Sequence, residues 1–347
     1  MNKKYYGTTR DGRTISMYTI SNNTGMEADF LDFGAVWESM RIPCADGTVR
    51  DVVLGHETLA GYEANGEVFG AIVGRVANRT EKGRFVLDGV EYQLEINDGE
   101  NNLHSSHEKG FHKQLWDVKE LTGNSITFAY FSPDGECGFP GNMDVQVKYT
   151  LTDEGEIIIT YNAICDKRSI INLTNHSYFN LNGHNSGDAR GQLLQIEADS
   201  YTPIKPGGIP TGEIATVEGT PFDFREMKPI IRDFNEDCQQ LHVAAGYDHN
   251  FVIRGSQREL RKAAEAVCEE SGITMEVYLD QPGMQLYTGN FIGKKTGKGG
   301  SALDKYSGYC LETHGFTNAI NTPGFPSPII EADEPYETIT IFKFSTK

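Results

Sequence analysis

Apolar and polar residues alternate along most of the 347-residue chain, in short runs bounded by turn dipeptides. A period of two is typical of strands that bury one face, because successive side chains point to opposite sides. Residues 84–94 (RFVLDGVEYQL) predict a hairpin. The dipeptide Asp88-Gly89 suits its type I′ turn, because both central residues of that turn take positive φ. Residues 145–163 predict a second hairpin that turns at residues 153–155.

One segment has the period of a helix instead. The apolar positions of residues 256–270 that follow the helical spacing i, i+3, i+4, i+7 and i+8 are Leu260, Ala263, Ala264, Val267 and Cys268. Ser256 is suited to cap the first turn. We therefore predict a helix over residues 256–270.

Many strands and only one or two short helices indicate an all-β fold, built as a large antiparallel β-sandwich. A β-propeller is also rich in strands, but it requires a recurrent blade motif, and none is visible. Residues 131–142 are dense in glycine and proline and predict a connecting loop. Because no linker, change of composition or repeat divides the chain, we predict a single domain over residues 1–347.

The formal net charge of -18 argues against nucleic acid and anionic membranes as partners, because both are bound mainly through lysine and arginine. No stretch approaches 18 consecutive apolar residues, and residues 1–20 lack the apolar core of a leader peptide. The six cysteines are far apart and show no zinc-type spacing, which indicates reduced thiols. We expect a soluble, cytoplasmic protein, either a monomer or a weak homodimer.

The segment INLTNHSYFNL (residues 171–181) combines apolar residues with a histidine, a tyrosine and three asparagines. If residues 170–181 are extended, one face carries a polar and aromatic row formed by Asn172, Thr174, His176, Tyr178 and Asn180. Such a row is either a solvated strand face or a surface that binds a sugar. Asparagine, histidine and tyrosine offer donors, acceptors and flat rings, which complement the hydroxyls and C–H faces of a sugar.

Two further segments are rich in basic groups. Residues 70–85 (GAIVGRVANRTEKGRF) hold three arginines around Asn78, but the pattern lacks the GxxxxGK[ST] of a phosphate loop. Each arginine is either part of a structural ion pair or part of a site. Residues 100–118 contain His104, His107 and His112. No carboxylates accompany these histidines in a metal-ligand pattern, so we expect no metal site.

Glu312 lies among apolar residues in YCLETHGF (residues 309–316), which predicts a strand leading into a proline-rich loop. Burial of a carboxylate raises its pKa toward the range of a useful general base. A buried structural ion pair is the alternative for Glu312, because such pairs also perturb pKa values.

Together these segments resemble the aldose 1-epimerase (galactose mutarotase) family over nearly the whole chain. The strings that carry the resemblance are GRVANR (74–79), NNLH (101–104), DGECGFPGN (134–142), NLTNHSYFNL (172–181), GTPFDFR (219–225), YDHNF (247–251), QPGMQLYTGN (281–290) and CLET (310–313). Each string is short, but their order along the chain is specific.

The resemblance implies a galactose mutarotase-like β-sandwich that holds a sugar in an open cleft. It implies that Glu312 is the general base and His176 the general acid. The residues that it assigns to sugar binding are Asn78, Arg79, His104, Tyr178, Asp248 and Gln285. Arg75 is assigned to the scaffold. The chain departs from the family after Glu312, where His314 and Thr317-Asn318 replace the usual glutamine and Pro-Asp, and this loop borders the cleft.

The expected activity is interconversion of the α- and β-anomers of free aldohexoses such as D-glucose and D-galactose. The reaction transfers no electrons, so no cofactor is expected. A non-catalytic sugar-binding module and a hexose-6-phosphate epimerase are the alternatives. Binding alone needs no acid–base pair, and a phosphate substrate calls for a basic cluster that the sequence does not show. A glycoside hydrolase normally uses two carboxylates, whereas this set has one.

Overall fold

The computed structural model describes residues 2–64 and 66–347, so two residues of the predicted 1–347 domain lie outside the described chain. The strands of the first half are β1 (Asn2–Thr8), β2 (Thr14–Ser21), β3 (Glu27–Leu31), β4 (Trp37–Pro43), β5 (Val49–Asp51), β6 (Ile72–Val73), β7 (Arg79–Thr80), β8 (Arg84–Leu87), β9 (Val90–Gln93), β10 (Asn102–Leu103), β11 (Asp117–Leu121), β12 (Ser125–Ser132), β13 (Met143–Leu151) and β14 (Glu156–Cys165).

The strands of the second half are β15 (Ser169–Ile170), β16 (Thr174–Asn175), β17 (Leu193–Ile196), β18 (Ala198–Tyr201), β19 (Ala215–Thr216), β20 (Lys228–Pro229), β21 (Asp248–Ile253), β22 (Arg261–Cys268), β23 (Ile273–Leu279), β24 (Gly283–Tyr287), β25 (Lys295–Thr296), β26 (Ala302–Leu303), β27 (Cys310–His314), β28 (Ile329–Ile330) and β29 (Tyr336–Thr346).

Helices are few within the described residues. The α-helices are α1 (Leu59–Glu63) and α2 (Gln239–Ala244). The single 3₁₀ turns are Glu81–Gly83, Phe111–Lys113, Glu136–Gly138, Lys298–Gly300 and Ala319–Asn321. The predicted all-β class, with one or two short helices, is confirmed.

Three antiparallel sheets make up most of the structure. The first joins β1 to β5 in chain order. The second has nine strands in the order β11-β12-β13-β14-β29-β23-β22-β17-β20, and the third has five in the order β19-β18-β21-β24-β27. The remaining strands form two-stranded pairs, among them β7 with β10 and β6 with β16.

Sequence alternation explains the long strands. Buried and partly exposed residues alternate along β13, β14 and β29, as expected for strands that bury one face. Aromatic rings fill the space between the first and second sheets. The Trp37 ring lies 5.7 Å from both Phe179 and Phe342 between ring centroids, and those two rings lie 5.0 Å apart. Strands from both halves of the chain therefore share one core.

Both predicted hairpins are present. Strands β8 and β9 pair around Asp88 (φ 52°) and Gly89 (φ 77°), and two positive φ values are what a type I′ turn requires. Strands β13 and β14 pair with Leu151 opposite Ile157. The predicted loop over residues 131–142 is present from residue 133 onward and contains one 3₁₀ turn, whereas residues 131 and 132 end strand β12.

The helix predicted over residues 256–270 is wrong, because residues 261–268 form strand β22 between β17 and β23. A register shift between Lys262 and Ala264 places two consecutive alanines, Ala263 and Ala264, on buried positions. This bulge interrupts the period of two and imitates a helical stripe. Ser256 precedes no helix, and Leu260 is 45% exposed. Pairing with two neighbours therefore outweighs the local helix propensity.

Candidate active site

Strand β27 carries Glu312 at the edge of the third sheet. The register places Gln285 of β24 opposite Glu312, and Tyr287 of β24 opposite both Cys310 and Asp248. Residues directly opposite each other in an antiparallel pair project from the same face. Glu312, Gln285, Tyr287, Cys310 and Asp248 therefore share one face of this sheet.

The second contributing segment is residues 170–181, which are buried throughout. The solvated-face alternative is therefore wrong. The segment is not one continuous strand either, because β15 and β16 are separate and pair with different partners, β28 and β6. Within this polar row, the Asn172 amide hydrogen-bonds the backbone of Gly315, and the Asn180 amide donates to the carbonyls of Gly187 and Ser307. Only part of the row is left to face a ligand.

His176 and Glu312 face each other. His176 Nε2 lies 3.6 Å from Glu312 Oε2, and both side chains are almost completely buried. The imidazole stacks on the Tyr178 ring at 5.1 Å between ring centroids and meets the His104 ring edge-on at 5.2 Å. Aromatic packing on two sides fixes the plane of the imidazole, so its nitrogens have a defined direction.

The same surroundings shift the pKa values of Glu312 and His176 in opposite directions. Burial raises the pKa of Glu312 well above its ordinary value, the charge of Asp248 adds to that rise, and Arg79 opposes it. Burial lowers the pKa of His176 to about 4. Removal from water disfavours the charged form of each group. Divergent pKa values of this kind are characteristic of acid–base pairs in active sites.

Asn78 and His104 form a paired turn next to this acid–base pair. Both have positive φ (61° and 54°), and β7 and β10 follow and precede them. The Asn78 N–H donates to His104 Nδ1 (3.2 Å), and the His104 N–H donates to the Asn78 carbonyl (3.1 Å). Burial lowers the pKa of His104 well below its ordinary value, so the ring is neutral. With Nδ1 occupied as an acceptor, Nε2 carries the proton and can donate to a ligand.

Arg79 connects two carboxylates. Its Nε lies 2.7 Å from Asp98 Oδ2, and its Nη1 lies 3.3 Å from Asp248 Oδ2. Gly208 (φ +73°) packs against the guanidinium, and a Cβ at this position would lie only 2.7 Å from Arg79 Cζ. The Gln285 amide donates to Asp248 Oδ1 at 2.7 Å. The Arg79 and Asp248 side chains are therefore held by several contacts.

These elements enclose a cavity of about 490 Å³. The predicted site residues that line it are Asn78, Arg79, His104, His176, Tyr178, Asp248 and Glu312. Gln285 is the exception, because its buried side chain meets Asp248 behind the wall. A larger cavity of about 830 Å³ lies between β14, β29 and the loop after β27, and it contains none of the predicted site residues.

The cavity wall also contains groups that the sequence prediction missed. Among them are Glu67, Asp98, Tyr287 and Phe291. Tyr287 was accessible to sequence reasoning, because it lies two residues after Gln285 in a strand and so shares its face. Glu67 and Asp98 lie in loops without a periodic signal, and only the tertiary fold brings them to the site.

The histidines outside the acid–base pair occupy different places. His107 lines the cavity, whereas His112 is buried and does not. His314 is completely buried and does not line the cavity, and its Nδ1 lies 2.5 Å from the Gly315 carbonyl. Arg75 is buried away from the cavity and donates to Ser132 Oγ and to the carbonyls of Ser132, Pro133 and Pro140. Within residues 2–64 and 66–347, no group of three or more metal-ligating side chains is placed to hold an ion.

Several known proteins are similar to this chain over nearly its whole length. The galactose mutarotase of Bos taurus is 45% identical over 333 residues, covering 96% of this chain and 94% of its own length. The aldose 1-epimerase of Escherichia coli K12 is 38% identical over 336 residues, covering 96% of each chain. The crystal structure of an aldose epimerase homologue from C. elegans aligns with a TM-score of 0.88 at 28% identity, covering 95% of this chain and 98% of that chain.

A second solved structure, the galactose 1-epimerase of Lactobacillus acidophilus NCFM, aligns with a TM-score of 0.85 at 27% identity, covering 99% of this chain and 98% of that chain. Fold and site together define a β-sandwich protein with a buried histidine and glutamate facing each other in a polar cavity. The aldose 1-epimerase family model matches residues 16–343, so the chain belongs to the aldose 1-epimerase family. The family and the sandwich fold predicted from the sequence are thereby confirmed.

Proposed function

We propose that this protein is an aldose 1-epimerase that interconverts the α- and β-anomers of free aldohexoses such as D-glucose and D-galactose. The observation that carries the proposal is the distance of 3.6 Å between His176 Nε2 and Glu312 Oε2 at the wall of a sugar-sized cavity. The C1 hydroxyl and the ring oxygen of a pyranose are bonded to the same carbon. One sugar can therefore present both atoms to the two groups at once.

Ring opening needs a base at the C1 hydroxyl and an acid at the ring oxygen. Glu312 takes the hydroxyl proton while His176 Nε2 gives a proton to the ring oxygen, and the C1–O5 bond breaks to give the open-chain aldehyde. Rotation about C1–C2 exposes the other carbonyl face, and closure reverses both transfers. Each transfer contributes about a hundred- to ten-thousand-fold to the rate. The reaction transfers neither electrons nor a phosphoryl group, so the reaction itself requires no cofactor.

Burial strengthens both partners for this step. A carboxylate with a raised pKa is a stronger base, and an imidazolium with a lowered pKa is a stronger acid. Ring opening converts the charged pair, which burial disfavours, into a neutral pair. The pair carries one proton in total before and after opening, so closure starts from the correct protonation state.

The remaining cavity groups hold the sugar. We assign the neutral His104 Nε2–H, the Asn78 amide and the Arg79 guanidinium to sugar hydroxyls, with Asp248 as an acceptor. Tyr178 offers a ring face, since its hydroxyl is already bonded to the Glu67 carbonyl at 3.0 Å. Gln285 is proposed to act on the sugar through Asp248. Fixed orientation of this kind supplies a further part of the rate enhancement.

The test is polarimetry on freshly dissolved α-D-glucose and α-D-galactose. Glu312→Gln and His176→Asn should each lower kcat at least about a hundredfold, while the circular dichroism spectrum and a cooperative melting transition are retained. Asn185→Asp, an exposed change in the loop just after residues 170–181 and outside the cavity, is the control and should keep the wild-type rate. Near-native rates in either site variant would refute the assignment, and a wild type that binds sugar without mutarotation would favour the non-catalytic module.

Location and assembly stay predictions from the sequence. We propose a cytoplasmic protein, and the six unpaired cysteines support this, since a reducing compartment keeps thiols free. No helix among the described residues is both long and apolar enough to cross a membrane. A monomer or weak homodimer remains the expectation, to be measured by analytical ultracentrifugation.

A further inference from the structure

The second nitrogen of His176 has a partner that the proposed reaction does not use. His176 Nδ1 lies 3.6 Å from Cys310 Sγ, on the side of the ring away from Glu312. A sulfur atom at this distance is a hydrogen-bonding contact for an imidazole N–H. The imidazole is thus held between a carboxyl group and a thiol.

The position of Cys310 follows from strand geometry. It lies two residues before Glu312 in β27, so the two side chains project from the same face. Cys310 is completely buried and does not line the cavity. A sugar therefore meets Glu312 and His176 Nε2 but not the thiol, and any effect of Cys310 on catalysis passes through the imidazole.

The proposed reaction requires that the two nitrogens behave differently. His176 Nε2 must lose its proton and recover it in every cycle. Nδ1 must keep its proton throughout, because a neutral ring whose only proton is on Nε2 cannot accept another proton at Nε2. A group that accepts the Nδ1–H selects the productive tautomer. A hydrogen bond between the ring and the backbone of His176 itself also favours a protonated ring, and it partly offsets the lowering of the pKa by burial.

We propose that Cys310 is a positioning residue whose sulfur accepts the Nδ1–H of His176 and so reserves Nε2 for proton transfer. This inference rests on the proposed function. Burial raises the pKa of Cys310 well above its ordinary value, so the thiol stays neutral beside the ring. A neutral sulfur is a weak acceptor. It orients the imidazole without stabilising the imidazolium as a carboxylate would, and His176 stays a strong acid.

The titratable groups around the imidazole come from several elements, and each must be considered in the pH behaviour. They are Glu312, Cys310, Tyr178, Tyr287, His104 and His314. Among the side chains of the described residues, Cys310 is the one that lies within hydrogen-bonding distance of Nδ1. Substitution at position 310 therefore tests this contact without removing a group that faces the sugar.

The kinetic test compares Cys310→Ala with Cys310→Ser. The alanine variant should lose about tenfold in kcat, the scale of one ordinary hydrogen bond, with little change in KM. Serine restores an acceptor and should recover most of the rate. Its oxygen is a stronger acceptor, so the acid limb of the pH profile should move to higher pH than in the wild type. If both variants lost the same factor in kcat, or if the pH profile were unchanged in both, Cys310 would have only a packing role and the inference would be wrong.

A second readout needs no turnover. The ¹⁵N chemical shifts of His176 distinguish the two neutral tautomers, and the wild type and Cys310→Ser should show the proton on Nδ1. Cys310→Ala, if it folds, should show a mixture. A wild-type ring with its proton on Nε2 would overturn the inference. If the tautomer is as expected and mutarotation is absent, the positioning role stands and the proposed function fails.

Discussion

At the residue scale, burial shifts the pKa values of Glu312 and His176 in opposite directions, and the pH dependence of the proposed reaction follows. The pair is active with one proton. As pH falls it gains a second proton on His176, whose pKa burial lowers to about 4. As pH rises it loses the shared proton, at a pH that burial of Glu312 raises. The two limbs belong to the coupled pair and not to single residues.

We therefore predict a bell-shaped profile of kcat/KM with an acid limb near pH 4, far below the usual histidine value of 6.5. Polarimetry from pH 3.5 to 10, with the uncatalysed rate subtracted, measures it. An acid limb near pH 6.5 would show that His176 titrates as an exposed histidine and would contradict the burial argument.

The same burial has a consequence for stability. Glu312 has a folded pKa raised above 4.5, so the folded state is favoured below pH 4.5 and loses stability as pH rises toward the folded pKa. We predict that Glu312→Gln raises the melting temperature at pH 7 by at least about 2 °C. At pH 4 the difference should vanish, because both states then hold a neutral side chain.

Calorimetry at both pH values tests this, with Glu154→Gln as control, since Glu154 lies exposed in the turn between β13 and β14. The control should melt like the wild type at both values. A destabilised Glu312→Gln at pH 7 would indicate that the carboxyl contributes structural hydrogen bonds. Among the described residues, its buried Oε2 has no hydrogen-bond partner, and the His176 imidazole lies 3.6 Å away.

The short strings around His176, Glu312 and Arg79 are distinctive, and most of the residues that the sequence assigned to a site line one cavity. The sequence could not separate residues that face the cavity from residues that support it. Asn172 and Asn180 alternate correctly with His176, yet their amides bond backbone groups on other loops. Which groups are partnered depends on loops distant in sequence, such as those at Gly315 and Ser307, and no local pattern contains that information.

At the element scale, β22 shows where local pattern and tertiary pairing disagree. Its alanine, glutamate, lysine and arginine residues favour helix in isolation. In the fold, Glu265 lies opposite Glu276 across the strand pair, and the Lys262 ammonium lies 2.6 Å from Glu265 and 2.5 Å from Glu276. One lysine thus lies between two like charges that face each other across the strand pair and offsets their repulsion, and one of those charges, Glu276, lies outside the segment.

A matched pair of substitutions tests the strand. Ala266 is completely buried and Val267 is partly exposed, whereas a helix with the predicted stripe would bury Val267 and expose Ala266. We predict that Ala266→Asp destabilises the protein by about 3 kcal/mol or more and that Val267→Asp costs much less. Urea unfolding measures both, and the reverse order of stabilities would contradict the strand.

At the scale of the whole molecule, the net charge is -18, and acidic residues line the cavity as well. Among the described residues that line it, the carboxylates are Glu67, Asp98, Asp248 and Glu312. Arg79 is shared between two of them, and Lys295, outside the wall, pairs with Glu67. A neutral sugar meets no net repulsion there, whereas a sugar phosphate would place a dianion among carboxylates.

We predict that kcat/KM for α-D-glucose 6-phosphate is at least about tenfold below that for α-D-glucose. Raising ionic strength from 0.1 to 1 M should narrow the gap, because the screening length falls from about 10 Å to about 3 Å. The rate with glucose itself serves as control and should change little with salt. Equal efficiency for both sugars would favour the hexose-6-phosphate epimerase.

The overall class of the fold was predictable because long strands such as β13 and β14 alternate clearly. The order of the strands was not, since pairing joins segments far apart in the chain. The single domain over residues 1–347 stays a prediction. A hydrophobic cluster that includes residues from Tyr18 to Phe344 supports it.

Strand β29 lies between β14 and β23 near the middle of the nine-stranded sheet, although it is the last strand of the chain. Because the chain is made from its N-terminus, both neighbours are synthesised before residues 336–346 can pair with them. Their unpaired edges are open to wrong partners for that interval. Nascent chains of this protein should therefore be clients of a chaperone until the final strand closes the gap.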